Sequence, residues 1–105
     1  MQPIVVTTSC GNFEEAEKVA QQLLSARLAA CVQISTAQSM YWWKDNIESD
    51  KEYILKIKSR RALFDKVVLK ITENHSYDVP EIIATDIVAV EQSYRNWLHS
   101  ELTDQ

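Results

Sequence analysis

The chain predicts an α+β sandwich, and three observations carry the prediction. β-branched runs stand near both ends, at Ile4-Val5-Val6-Thr7-Thr8 and at Ile82 through Val90, and such runs fit a pleated, buried surface. Between them, Tyr53, Leu55 and Ile57 alternate with Ile54, Lys56 and Lys58, the pattern of a strand with one buried side. Two stretches carry apolar residues at helical spacing: Phe13, Ala16, Ala20, Leu23, Leu24 and Leu28, and then Leu63, Phe64, Val67, Val68 and Ile71. The resulting order is β-α-β-β-α-β with an added C-terminal helix. That is the split βαβ, ferredoxin-like arrangement, an antiparallel sheet with both long helices on one face.

Each element has its own warrant. Ser9-Cys10-Gly11 ends the first strand, and Gly11 is the only glycine in the chain. Asn12 suits an N-cap and Glu15 follows three residues later as in a capping box, so a helix is expected from about Phe13 to about Leu28. Ala29 through Ile34 opens a second strand, with room for a bend at Ser35-Thr36-Ala37. Around Lys44-Asp45-Asn46 the chain turns back as a long hairpin, because Asp and Asn tolerate positive φ. Ser59 is placed to cap the second helix and Asn74 to end it, and Arg60-Arg61 reads as a solvated helix start. Pro80 makes His75 through Glu81 a loop. A fourth strand runs from Ile82 to Val90, and Ser93 starts the last helix with Tyr94, Trp97 and Leu98 on its apolar side.

The incoming arm of the hairpin carries Tyr41, Trp42 and Trp43 in succession. Successive strand residues point to opposite faces, so both faces of this arm are apolar. One face can lie on the chain's own helices; the other needs a cover, which is read as a second copy of the same chain.

Composition bounds the rest. The 105 residues, 46% hydrophobic and 25% charged, read as one domain, 1–105, of a globular protein. A net charge of −4, with dispersed basic residues, argues against a nucleic-acid partner. No apolar run approaches the roughly 20 residues of a membrane span, and Met1-Gln2-Pro3 leads straight into a strand without a basic leader, so a cytoplasmic protein is expected. Cys10 and Cys31 lack CxxC spacing and read as reduced, partly buried thiols. There is no Gly-rich phosphate loop and no Ser-His-Asp or Cys-His arrangement. An enzyme using Lys58 or Glu81 as acid or base would have no substrate named by the sequence.

Several stretches together resemble the CutA family of divalent-cation tolerance proteins: Arg27-Leu28-Ala29-Ala30-Cys31, Ser39-Met40-Tyr41-Trp42-Trp43, Glu52 through Ser59, and His75-Ser76-Tyr77-Asp78-Val79-Pro80-Glu81-Ile82-Ile83, with Tyr94 and Trp97 closing the match. The resemblance implies a non-catalytic subunit in a tight homotrimer whose hairpins pair with neighbours, and a role in tolerance of copper or another divalent cation. Of the family's bacterial copper ligands this chain keeps His75, while a cysteine is replaced by Thr7 and a second histidine by Asn74. His75 is thus the candidate metal ligand. Glu73, Asp78 or Glu81 would supply oxygens, and Cys10 a thiolate if the strand end curls inward. The other reading of His75 is a loop histidine bonded to backbone or lining a cleft. The resemblance also places Tyr41, Trp43, Glu52, Lys58, Tyr77 and Glu81 at a cleft between subunits. Aromatic walls with an ammonium and carboxylates suit a small-ligand pocket, so a ligand sensor or interaction scaffold is the alternative function. A buried network that holds the trimer together would use the same residues.

Overall fold

In a computed structural model, which describes residues 1–104, the chain forms β1 (Pro3–Cys10), α1 (Phe13–Ser25), β2 (Cys31–Trp43), β3 (Asn46–Arg60), α2 (Phe64–Glu73), β4 (Ile83–Asp86) and α3 (Gln92–Glu101). Gln105, the last residue of the expected domain, lies outside the described residues. The four strands form one antiparallel sheet in the order β2-β3-β1-β4. This is the ferredoxin-like sandwich with a C-terminal helix.

The alternation read in β3 holds. Leu55 and Ile57 are fully buried, and they stand in register with Thr8 and Val6 of β1 and with Ile34 and Val32 of β2. They join Ile4, Val6 and Cys10 of β1, Val19 and Leu23 of α1, Val67 and Ile71 of α2, and Leu98 of α3 in one core. Thr8 is also fully buried, and its hydroxyl has no hydrogen-bond partner among the described residues.

Several boundaries differ from expectation. α1 stops at Ser25, because Arg27 turns the chain with φ 58°. β2 runs unbroken through Ser35–Ala37, each residue paired with β3. The hairpin turn is made by Lys44 and Asp45, at φ 49° and 67°, while Asn46 already belongs to β3. Ser59 caps no helix. It is the buried penultimate residue of β3, and its hydroxyl donates to Leu28 O at 2.7 Å. A 3₁₀ turn at Arg61–Leu63 leads into α2 instead, without a side-chain cap. Neither arginine idles in solvent: Arg60 donates to Thr103 O, and Arg61 pairs with Asp86 at 2.7 Å.

β4 has only four residues, where a longer strand was expected. Ile87 N–H still reaches Pro3 O at 3.0 Å, but β1 begins at Pro3, so among the described residues Val88 to Val90 have no partner strand. The last helix begins at Gln92, capped by the Glu91 carboxylate, which accepts from the Ser93 and Tyr94 amides.

The hairpin reaches past the body of the molecule, whose long axis spans 45 Å. Beyond the helices its apolar side chains lie bare: Met40 and Trp42 are each 72% exposed and Ile47 60%.

Candidate functional site

The end of β1, the start of α1 and the loop after α2 meet at one corner of the sheet. Gly11 makes the approach feasible: a Cβ there would stand 3.3 Å from the Tyr77 hydroxyl, closer than side chains ordinarily pack. Asn12 caps α1 as expected, its Oδ1 accepting from the Glu15 amide at 2.8 Å. The reciprocal half of the capping box does not form. The Glu15 carboxylate reaches across to the loop instead, accepting from Ser76 N–H at 2.7 Å and Ser76 Oγ–H at 3.2 Å.

Asn74 ends α2, and its side-chain amide donates to Lys70 O. His75 therefore enters the corner at a fixed angle. Its Nε2 lies 2.6 Å from Ser9 O, and its Nδ1 accepts the Tyr77 N–H at 3.1 Å. These partners assign the ring proton to Nε2. Cys10 Sγ is 3.7 Å from the same nitrogen. One donor atom each from Cys10, Glu15 and His75 lies within 4.8 Å of the others. Burial pushes the Cys10 thiol up to about 12, helped by the negative charge of Glu15 and Glu52. Cys31 is also a free thiol, and no disulfide joins the two.

Next to this corner lies a cleft of about 830 Å³ between the outer part of the hairpin, Ser39 to Trp43, and the loop. Of the six residues expected at a cleft between subunits, Tyr41, Trp43, Glu52, Tyr77 and Glu81 line this one, which a single chain forms. Lys58 does not; its ammonium sits over the Tyr94 ring, 5.5 Å from the centroid. Glu52 is the cleft's buried carboxylate, 6% exposed. Its Oε2 accepts from the Tyr77 hydroxyl at 2.9 Å and the Ser9 hydroxyl at 3.3 Å. The Tyr41 hydroxyl donates to Asp50. Tyr77 also stacks at a tilt on His75, with 4.7 Å between ring centroids. Ser9 and Tyr77 thus belong to both the corner and the cleft.

These hydrogen bonds set a pH dependence. The bond to Asp50 pushes Tyr41 up to about 12, and burial, then the bond to Glu52, pushes Tyr77 higher still. In each case, and for Cys10, the folded state holds its proton more tightly than the unfolded chain. The associated stability is complete below pH ~9 and is lost as pH rises toward ~12. The urea midpoint is expected to fall across that window, and less steeply in Tyr77→Phe. Parallel slopes for the two proteins would show that Tyr77 is not held in its neutral form by the fold.

Sequence reading missed Glu15 as a site residue, because its spacing from Asn12 accounted for it as a cap. Glu73, Asp78 and Glu81 were expected to supply oxygens beside His75, and none of them joins the cluster with Cys10. Both readings of His75 find support: it bonds to backbone and it faces a thiol and a carboxylate.

The fold and site together define a class, that of small α+β sandwich proteins with a projecting β-hairpin and a mixed sulfur, nitrogen and oxygen cluster at the sheet corner. Residues 4–101 match the model of the CutA1 divalent ion tolerance protein family, and the chain belongs to that family. It is 41% identical over 98 residues to the divalent-cation tolerance protein CutA of Pyrococcus horikoshii, covering 93% of this chain and 96% of that one. It is 40% identical to the chloroplastic protein CutA 1 of rice over 90% of its own length, but spans only 54% of that protein. The crystal structure of rice CutA1 superposes with a TM-score of 0.96 at 36% identity, covering 100% of this chain and 97% of the other.

Proposed function

We propose that this protein is a non-catalytic homotrimer that binds copper or another thiophilic divalent cation through Cys10, Glu15 and His75. The convergence of those three donors within 4.8 Å carries the reading. Thiolate and imidazole suit copper and zinc, and a carboxylate completes a borderline donor set. Bonds of about 2.0–2.3 Å would place tetrahedral ligands roughly 3.5 Å apart, so the set has to draw in slightly.

Binding makes two demands on the chain's own protons. Cys10 must release its thiol proton, and the high pKa makes that release costly at neutral pH. His75 must free Nε2 from Ser9 O and carry its proton on Nδ1, which then faces the Tyr77 N–H. Metal binding and the Tyr77 position are linked by that exchange. The Ser76 donors already hold the Glu15 carboxylate toward the corner.

Competition against a chromophoric chelator, run separately with Zn²⁺ and Cu²⁺, tests the assignment. His75→Ala and Cys10→Ser are each expected to lower affinity by about tenfold or more. Affinity equal to wild type in either variant removes that residue from the site.

The trimer is supported by the exposed indole, thioether and isoleucine of the hairpin and by the two outer strands β2 and β4. Large bare apolar surface and open sheet edges are what oligomers cover.

A further inference from the structure

We propose that the main-chain carbonyl of Ser9 is the fourth ligand of a metal held at the corner, an inference that rests on the Cys10, Glu15 and His75 reading and adds a donor no side chain supplies. The register of the sheet aims it there. In an antiparallel strand, the backbone groups of successive residues point alternately to the neighbours on either side. Gln2 O accepts from Arg61 N–H on the β3 side, and Pro3 O accepts from Ile87 N–H on the β4 side. Odd-numbered residues of β1 therefore turn their backbone groups toward β4. β4 begins at Ile83, which pairs with Thr7. Ser9 is the next odd residue, and β4 has no rung for it. Its carbonyl points past the start of β4, and His75 Nε2 meets it at 2.6 Å.

Ser9 is only 4% exposed, so its carbonyl depends on that ring donor. A metal on Nε2 takes the place of the ring proton, which passes to Nδ1, and the carbonyl loses its partner. A buried carbonyl without a partner is costly, and a bond to the metal satisfies it. Cys10 Sγ stands 3.7 Å from the same nitrogen, so thiol and carbonyl flank one ring atom. Once the thiol proton has left to solvent, thiolate and carboxylate together cancel the charge of a divalent ion. The fourth donor then needs no charge, which suits a carbonyl. One sulfur, one nitrogen and two oxygens complete a tetrahedral set around an ion such as Zn²⁺. With four protein ligands no position stays open for water, as in structural rather than catalytic sites. All four donors come from one chain and are placed by bonds within it. Their geometry does not depend on which surfaces a neighbouring copy covers.

The test uses the whole chain in its native assembly, loaded with Zn²⁺ or with Co²⁺. Ser9-Cys10 is the only Ser-Cys pair in the sequence. Serine labelled with ¹³C at its carbonyl and cysteine labelled with ¹⁵N therefore give a single amide-to-carbonyl correlation by NMR. Metal-free His75→Ala supplies the reference for a Ser9 carbonyl that has lost its donor, and its resonance is expected upfield of wild type. Zn²⁺ is expected to move the wild-type resonance downfield, because a bound cation polarises the carbonyl. An upfield or absent shift on Zn²⁺ binding would overturn the proposal. In the Co²⁺ form, the visible bands of four-coordinate cobalt are expected to stay unchanged when azide or thiocyanate is added. Bands that shift saturably with either anion would show an open position and overturn the proposal independently of the variant. Whether metal binds through Cys10 and His75 at all is decided by the chelator competition. Failure there removes both readings, whereas binding that passes there but leaves the carbonyl released or the cobalt open to azide removes only this one.

Discussion

Trp42→Glu is expected to reduce the mass measured by light scattering at micromolar concentration from that of three chains to that of one. Trp42 faces Ile47 across the hairpin, with Met40 beside it on the same face. That face continues the helix-covered side of the sheet beyond the point where the helices stop. All three side chains are more than half exposed, and covering each by a neighbour contributes roughly 1.5–3 kcal/mol. Repeated around a closed ring, such contacts favour an assembly. A carboxylate at the centre of such a contact would be desolvated without a partner, at a cost of several kcal/mol. Trp42 takes no part in the core, so the variant should keep its circular dichroism while losing its neighbours. A variant with wild-type mass would show that Trp42 is peripheral, and a wild-type protein that scatters as one chain would refute the trimer.

Leu55→Ala should lower unfolding free energy by about 2–5 kcal/mol, the range for emptying a leucine site in a packed core. Leu55 is fully buried on a central strand, between Thr8 of β1 and Ile34 of β2. Two flanking strands fix the backbone on either side, which limits how far the gap can close. Against a total of about 5–15 kcal/mol for a small domain, this is a large fraction. Denaturant unfolding followed by tryptophan fluorescence measures it, and a loss below ~1 kcal/mol would mean that the sheet centre is loosely packed.

The frame of the molecule was legible because its periods are clean. The alternation in β3 and the stripes of α1 and α2 each point to one face, and Asn12 behaves as its residue type predicts. What could not be read were groups whose partners come from far along the chain. Glu15 leaves its local cap because Ser76, 61 residues away, offers two donors. Ser59 donates to Leu28 O rather than starting a helix. The run from Ile87 to Val90 has every local mark of a strand, but β1 ends before reaching it. Lys58 was grouped with the cleft by its family position, yet within one chain it lies over Tyr94. His75 and Cys10 are 65 residues apart, and the packing of the loop after α2 against the end of β1 brings them within 3.7 Å.

The turn at Lys44 and Asp45 has a consequence for how the hairpin keeps its shape. Both residues adopt left-handed backbone that L-amino acids resist by roughly 1–2 kcal/mol each, and neither is glycine. The strain at the tip is therefore offset by the paired arms rather than by the turn itself. All 13 residues of β2 pair with β3, so the ladder running out from Cys31 and Lys58 holds the bend in place. The outermost rungs, with Trp43 paired to Asn46, are then the first to open and the most easily remodelled by a neighbour.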